Sequence, residues 1–444
     1  MSLRGAARAC ALVPVDYARL MSPGVSRRWL AGLFVLFLMP VAFMAGAATE
    51  EWRELFDESV AKARSGDVDA AIELLTRALE MNPRAAPAAN YRGQLKEFRN
   101  DIDGAIADFD LAIKASAKYS PAYINRARCK KNQGKFDEAM ADLNKALGLD
   151  RQNTTALALR GEVKGLQGDH KGALADLDRA IDISSQDGDL FSCRGSAKSR
   201  AGDLQGAIKD FSRALELKPR DAVAYNNRGL AKMRLGEFEE AVADLREAIA
   251  LKPGYGIALY NLGKALHEQK KYGEALEAFD AAVAAGYTQA LNDRALAKRA
   301  NGDLDGAIED LTALIEQAPR EAGRYNNRGL ALRARGDYEA ALADLNQAVK
   351  LKPDEALFYS SRGYVKLSNN DPYGALADCT QAINMNSRLA VAYKYRAKAK
   401  VAIGDAASAM TDLYTAVRID PSDEEVVQML NELKKPAATP QAPR

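Results

Sequence analysis

Nine arginines are each followed sixteen residues later by an aspartate: Arg92 and Asp108, Arg126 and Asp142, Arg160 and Asp176, Arg194 and Asp210, Arg228 and Asp244, Arg294 and Asp310, Arg328 and Asp344, Arg362 and Asp378, Arg396 and Asp412. A guanidinium fork meets a carboxylate through two parallel hydrogen bonds, so this spacing points to ion pairs rather than proton transfer. Other reactive chemistry is sparse. His170 and His267 are the two histidines of the chain, almost a hundred residues apart. They read as surface residues rather than as a metal site or relay. Cys10 lies near the start, and Cys129, Cys193 and Cys379 are widely spaced, which argues for packed thiols rather than a disulfide. No His-Glu-x-x-His, Gly-x-Ser-x-Gly, phosphate loop or dinucleotide fingerprint occurs. Neither a cofactor nor a metal is expected, and the pattern argues against an enzyme.

The elements that must position the ion pairs are repeated. A phrase opening and closing with alanine, with Asp and Leu or Phe between, places its first Ala at 71, 105, 139, 173, 207, 241, 275, 307, 341, 375 and 409. The step is 34 residues except for 32 between Ala275 and Ala307. With that Ala at repeat position 20, eleven units fill residues 52–423. Position 8 is always Gly, Ala or Ser, and positions 20 and 27 are Ala apart from Leu314, so two helices can approach closely. Position 15 is Gly in eight units, Asn100 and Asn370 in two and Lys270 in one. This slot suits a left-handed helix end. Asp usually follows as a cap for the next helix, and six units have Pro at position 32 to stop it. Each unit therefore reads as helix, tight turn, helix, loop.

The first unit carries Glu58 and Leu74 in the Arg and Asp slots, and the seventh carries Leu262 and Ala278. Both slots change together. Pairing each Arg with the preceding unit's Asp would leave Arg92 facing Leu74 and Arg294 facing Ala278. The bridge is thus expected within a unit, between its two helices, as part of the frame rather than of a binding site.

This pattern resembles the tetratricopeptide repeat family over residues 52–423, in its 34-residue period, small residue at 8, alanines at 20 and 27 and proline at 32. The resemblance implies an all-α superhelical solenoid of antiparallel helix pairs whose first helices line a groove for proteins or peptides. Family groove positions 2, 5, 9, 12 and 13 carry over to Arg128, Lys131, Arg234, Lys264, Arg299, Arg333, Lys394 and Lys398, with Glu97, Glu162, Asp189 and Glu268 as opposing charges. Position 5 adds Asn90, Asn226, Asn292 and Asn326, whose amides suit a peptide backbone. A mildly basic, polar groove for an extended or acidic peptide follows; a solvated helix face is the competing reading. Asn125, Asn227, Asn261 and Asn327 occupy position 6 without the basic pattern of the family's carboxylate clamp, so that clamp is not expected. The shortened junction near Gly286-Tyr287 reads either as a bend between repeats 1–7 (52–287) and repeats 8–11 (288–423) or as a plain short loop.

Twenty uncharged residues, Trp29–Ala48, follow Arg27-Arg28 and end in Ala45-Gly46-Ala47-Ala48. Residues 1–48 have the order of a secretory signal, with Met21 as an alternative start; an uncleaved membrane anchor is the other reading. Beyond this leader, 57 basic and 59 acidic residues nearly cancel, which disfavours a globally basic nucleic-acid binder. Val426, Val427, Leu430 and Leu433 lie at helical spacing within 424–435 and suggest a capping helix, and 436–444, rich in Pro and Ala, is expected to be disordered. The sequence thus predicts an exported scaffold in the bacterial periplasm holding a protein or peptide partner of acidic character. Two alternatives stand beside it: an inner-membrane-anchored subunit of an envelope assembly, and a noncatalytic partner of an envelope enzyme.

Overall fold

The computed structural model describes residues 48–434. The leader through residue 47 and the tail from 435 onward, with the cleavage and disorder expected of them, lie outside the described residues. Among the described residues all regular structure is α-helical: twenty-three helices in tandem order. They fall into two compact units that divide after Gly236.

The first unit contains α1 (Ala48–Arg64), α2 (Val68–Met81), α3 (Ala86–Phe98), α4 (Ile102–Ala115), α5 (Ser120–Asn132), α6 (Phe136–Leu149), α7 (Thr154–Leu166), α8 (His170–Ile183), α9 (Gly188–Ala201), α10 (Leu204–Leu217) and α11 (Ala222–Leu235). The second contains α12 (Phe238–Leu251), α13 (Gly256–Glu268), α14 (Tyr272–Ala284), α15 (Ala290–Ala300), α16 (Leu304–Gln317), α17 (Ala322–Arg335), α18 (Tyr338–Leu351), α19 (Ala356–Ser368), α20 (Pro372–Met385), α21 (Ala390–Ala402), α22 (Ala406–Ile419) and α23 (Glu424–Lys434). Odd-numbered helices up to α21 are the first helices of the repeats.

Each second helix buries a stripe at i, i+4 and i+7, with a buried or half-buried residue at i+8; in α8 these are Ala173, Leu177, Ala180 and Ile181. The opposing first helix must then be bare. A Cβ on Gly263 would lie 2.6 Å from the Phe279 ring, so only glycine fits there. Phe109 and Phe211 likewise pack on Gly93 and Gly195, whereas the alanines at this slot, Ala127, Ala295 and Ala397, accompany Leu143, Leu311 and Leu413. Gly161 and Gly329 face Leu177 and Leu345 closely as well, each leucine 3.0 Å from where a Cβ would lie, so the slot stays small whichever residue opposes it.

The turns follow the sequence. All eight glycines at position 15 adopt left-handed φ, and so do Asn100, Lys270 and Asn370 at 65°, 60° and 59°. Lys270 bears the steric cost that glycine and asparagine largely avoid. Asp67, Asp101, Asp169, Asp203, Asp303, Asp371 and Asp405 then accept a backbone N–H three residues ahead and start the next helix. At the shortened junction Gly286 is left-handed, and the Tyr287 ring lies 5.1 Å from that of Tyr260 on α13. At the chain's far end, α23 buries Val426 and Leu430 in a cluster with Leu413 and Ala416 of α22, while Val427 is exposed.

Candidate functional site

Eight of the nine Arg–Asp pairs lie within single units and form there; Arg228 and Asp244 have one member in each. Seven of the eight close at 2.6–2.8 Å, and Arg126 meets Asp142 in the same way. The aspartates are buried, and each guanidinium donates from Nε and Nη2, as Arg160 does to Asp176 at 2.8 and 2.7 Å. A lysine one turn later, such as Lys96, Lys164 or Lys400, reaches the same carboxylate at 2.7–2.8 Å. Burial alone would raise the pKa of Asp176, but hydrogen bonds from Arg160 and Lys164 outweigh it and hold the carboxyl below its ordinary range.

The guanidinium has a second arm absent from the sequence reading. Nη1 of Arg92, Arg160, Arg194, Arg228, Arg328 and Arg362 donates to Thr76, Asn144, Asp178, Ser212, Thr312 and Asn346 of the preceding repeat, at 2.8–3.0 Å. One arginine therefore ties its own two helices together and ties its repeat to the one before. The signal was in the chain: repeat position 25 is an acceptor wherever the next repeat has Arg at 7, and is Arg246 ahead of Leu262 and Tyr414 in the final repeat.

The groove candidates divide by environment. In place of the free amides expected at position 5, Asn90, Asn226 and Asn326 are buried. Asn90 accepts from Asn125 at 2.9 Å, and half-buried Asn292 accepts from Asn327 at 3.2 Å, each pair joining successive first helices. Asn226 and Asn326 donate to Asn227 and Asn327 at 3.1 and 3.3 Å. Asn90 and Asn292 thus serve the stacking of repeats, while Asn226 and Asn326 are engaged within their own helices. Lys131 is also buried, 2.9 Å from Glu162 of α7. Burial raises the pKa of Glu162, and Lys131 opposes that shift. Arg128 of α5 forks onto Glu97 of α3 at 3.0 and 2.7 Å. Arg234 is exposed and donates to Ser199 at 2.8 Å.

In the second unit exposed Lys264 lies 5.5 Å from the Tyr260 ring centroid. Lys394 pairs with Asp423 at 2.7 Å and Glu425 at 3.1 Å, and Lys398 pairs with Glu425. Arg333 of α17 stacks 3.6 Å above the Tyr364 ring of α19 and donates from Nε to Ser368 at 2.9 Å. Tyr364 in turn stacks on Tyr395 of α21, 4.0 Å between centroids and 7° from parallel. Arg299 of α15 is half-buried within electrostatic reach of Arg333 and Tyr395, and among the described residues it meets no carboxylate. The two tyrosines escaped the sequence reading because they fall at repeat positions 9 and 6 of different units; aromatic residues beside the basic slots were the available signal.

The histidines, expected on the surface, are half-buried; His267 packs edge-on against Tyr272 at 5.2 Å. Cys129 and Cys379 are buried, and burial pushes each thiol up to about 12.

Four family models of tetratricopeptide repeats match the chain, over residues 56–120, 120–153, 199–236 and 222–255. A fifth, described as ETO1 C-terminal domain, matches residues 245–437. The chain therefore carries tetratricopeptide repeats, and its tandem helix pairs are their fold. Similar solved structures include a tetratricopeptide repeat protein from Parabacteroides merdae, 20% identical, covering 54% of this chain and 94% of that one with a TM-score of 0.47. Yeast Tom70 is 16% identical, with 87% and 95% covered and a TM-score of 0.44. Pseudomonas aeruginosa pilF is 19% identical, with 45% and 92% covered and a TM-score of 0.41. No curated protein sequence matches the chain.

Proposed function

We propose that this chain is an exported, noncatalytic scaffold that holds a protein or peptide segment along the first-helix faces of its repeats. The observation that carries the reading is where accessible polar groups lie. Arg234, Lys264, Arg299, Arg333 and Lys398 all sit on first helices and are exposed or half-exposed, while the Arg–Asp frame is consumed between helices. Such a face offers an extended segment several charge-assisted contacts without refolding the scaffold. The basic, uncharged and small-residue order of the leader supports export to a bacterial periplasm.

The test is site-specific photocrosslinking in the full chain. A photoreactive residue replacing Arg234 or Lys264 should capture a discrete partner. The same group replacing Tyr373 or Tyr414, which are 70% and 53% exposed on second helices, should not. Capture only from the second-helix positions would contradict the reading.

A membrane-anchored form is favoured by one feature, the uncharged run Trp29–Ala48, which is long enough to span a bilayer. The N-terminus of the mature protein, read by mass spectrometry, separates the two. A start near Thr49 supports export with cleavage, and an intact leader supports the anchor.

A further inference from the structure

We propose that the first helices α15, α17, α19 and α21 form a carboxylate-binding subsite, in which Arg299 and Arg333 grip an acidic side chain of a bound peptide beside the Tyr364–Tyr395 ring pair. The inference rests on the groove reading above and deepens it by naming the recognised group.

Three observations converge. First, Arg299 and Arg333 are the groove arginines of the second unit, and neither meets a carboxylate within ion-pair distance among the described residues; Arg299 has no hydrogen-bond partner there. A guanidinium in a partly dehydrated setting without an anion is costly, and a carboxylate beside it would relieve that cost. Burial holds the Arg299 pKa below its ordinary value, Tyr395 opposing that shift and Arg333 adding slightly to it.

Second, the site is held in place before any ligand arrives. Arg333 lies 3.6 Å over Tyr364, is fixed by Ser368 at 2.9 Å, and Tyr364 rests on Tyr395 at 4.0 Å. The remaining N–H groups of its guanidinium stay available as a planar donor set. Burial raises the Tyr395 hydroxyl to about 12, so it remains a neutral donor at physiological pH.

Third, the cations extend over several helices. Arg299 is on α15, Arg333 on α17 and Lys398 on α21, the last 5.6 Å from the Tyr364 ring. A chain terminus supplies one carboxylate, whereas an acidic segment supplies several at successive positions. The protein already contains such an arrangement: Asp423 and Glu425, two residues apart, settle on Lys394 and Lys398.

The experiment titrates the full chain with fluorescein-labelled hexaglutamate carrying an amidated C-terminus. Labelled hexaglutamine amide and hexaalanine with a free C-terminus are the comparison probes. Hexaglutamate should bind most tightly, and R299Q and R333Q should each weaken it about tenfold, as expected for a lost charge-assisted contact. R335Q, on the exposed arginine paired with Asp305 and Asp337, should leave the affinity unchanged. R299K, which keeps the charge and loses the fork, should fall between wild type and R299Q. Arg299→Gln removes an unpaired charge, so its thermal melt should not drop.

Wild-type affinity in both R299Q and R333Q would overturn the subsite, as would hexaglutamine binding equal to hexaglutamate. Hexaalanine binding best, with the same arginine dependence, would overturn the side-chain assignment in favour of a terminal carboxylate. Crosslinking at Arg234 or Lys264 with unchanged R299Q and R333Q titrations sinks this subsite alone. Arginine-dependent hexaglutamate binding without first-helix crosslinks sinks the wider groove reading instead.

Discussion

The first-helix faces of the two units contain the same residue types and use them differently. In the first unit Arg128 is forked by Glu97, and Lys131 is buried on Glu162. In the second, Arg333 stacks on Tyr364, and Arg299 lies within electrostatic reach of Tyr395 and Arg333 without a carboxylate partner among the described residues. Whether a groove cation is available thus depends on the residue presented by a neighbouring first helix. Net charge along the groove says little about which charges a ligand can use. The inter-helix frame is common to both units: Arg160 with Asp176 in one and Arg328 with Asp344 in the other have the same fork geometry.

The largest expected effect tests that common frame. Arg328→Ala strands the buried Asp344 and should cost about 3–5 kcal/mol, whereas Arg160→Ala leaves Asp176 with Lys164 at 2.7 Å and should cost less. Adding Asp176→Ala to Arg160→Ala should return part of the loss in a urea-unfolding double-mutant cycle. Strictly additive losses would rule out the pairing as an energetic unit.

The next two substitutions exchange the characters of the faces. Glu97→Gln releases Arg128 and should raise hexaglutamate affinity in the first unit. Ser368→Glu places a carboxylate beside Arg333 and should reduce binding in the second about tenfold, or ~1.4 kcal/mol. Titration of each variant checks both. If Glu97→Gln changes nothing, the competing glutamate is not what closes the first face.

A smaller effect is expected from the second arm of the arginine fork. Asn144→Ala removes the acceptor of Arg160 Nη1 at 2.8 Å and should cost about 0.5–1.5 kcal/mol by urea unfolding.

Two buried carboxylates should show opposite pH trends, although each is paired with cations. Asp176 is held below its ordinary pKa, so the stability it confers is present above the unfolded value and fades as pH falls through the folded one. The advantage of wild type over Asp176→Asn should shrink on acidification. Glu162 is raised, so its contribution is greatest in acid and lost as pH rises. The advantage of wild type over Glu162→Gln should shrink from acid toward neutral pH. Chemical unfolding across that range measures both slopes, and slopes of the same sign would contradict the assignment.

Much of this frame was legible from residue types alone. The 34-residue period located the helix pairs, and the joint loss of Arg and Asp in two units fixed the pairing within repeats. Lys270 stood out in the glycine slot, and the structure gives it the left-handed φ of its glycine counterparts. What escaped was lateral. Asn90, Asn226 and Asn326 sit where the family presents groove residues, yet they are buried, and Asn90 accepts from Asn125 of the next first helix. The Arg333–Tyr364–Tyr395 stack combines residues at repeat positions 12, 9 and 6 of three successive units. A reading that compares like positions down the repeats cannot see it. Stacking brings different positions together across repeats, and side-chain reach decides which of them meet.

The most direct test of the contrast between the faces is hydrogen–deuterium exchange on the full chain, with and without hexaglutamate amide. The account predicts added protection in peptides covering α15, α17 and α19, and little change in those covering α3, α5 and α7. Protection confined to α3, α5 and α7, or spread equally over both units, would contradict it.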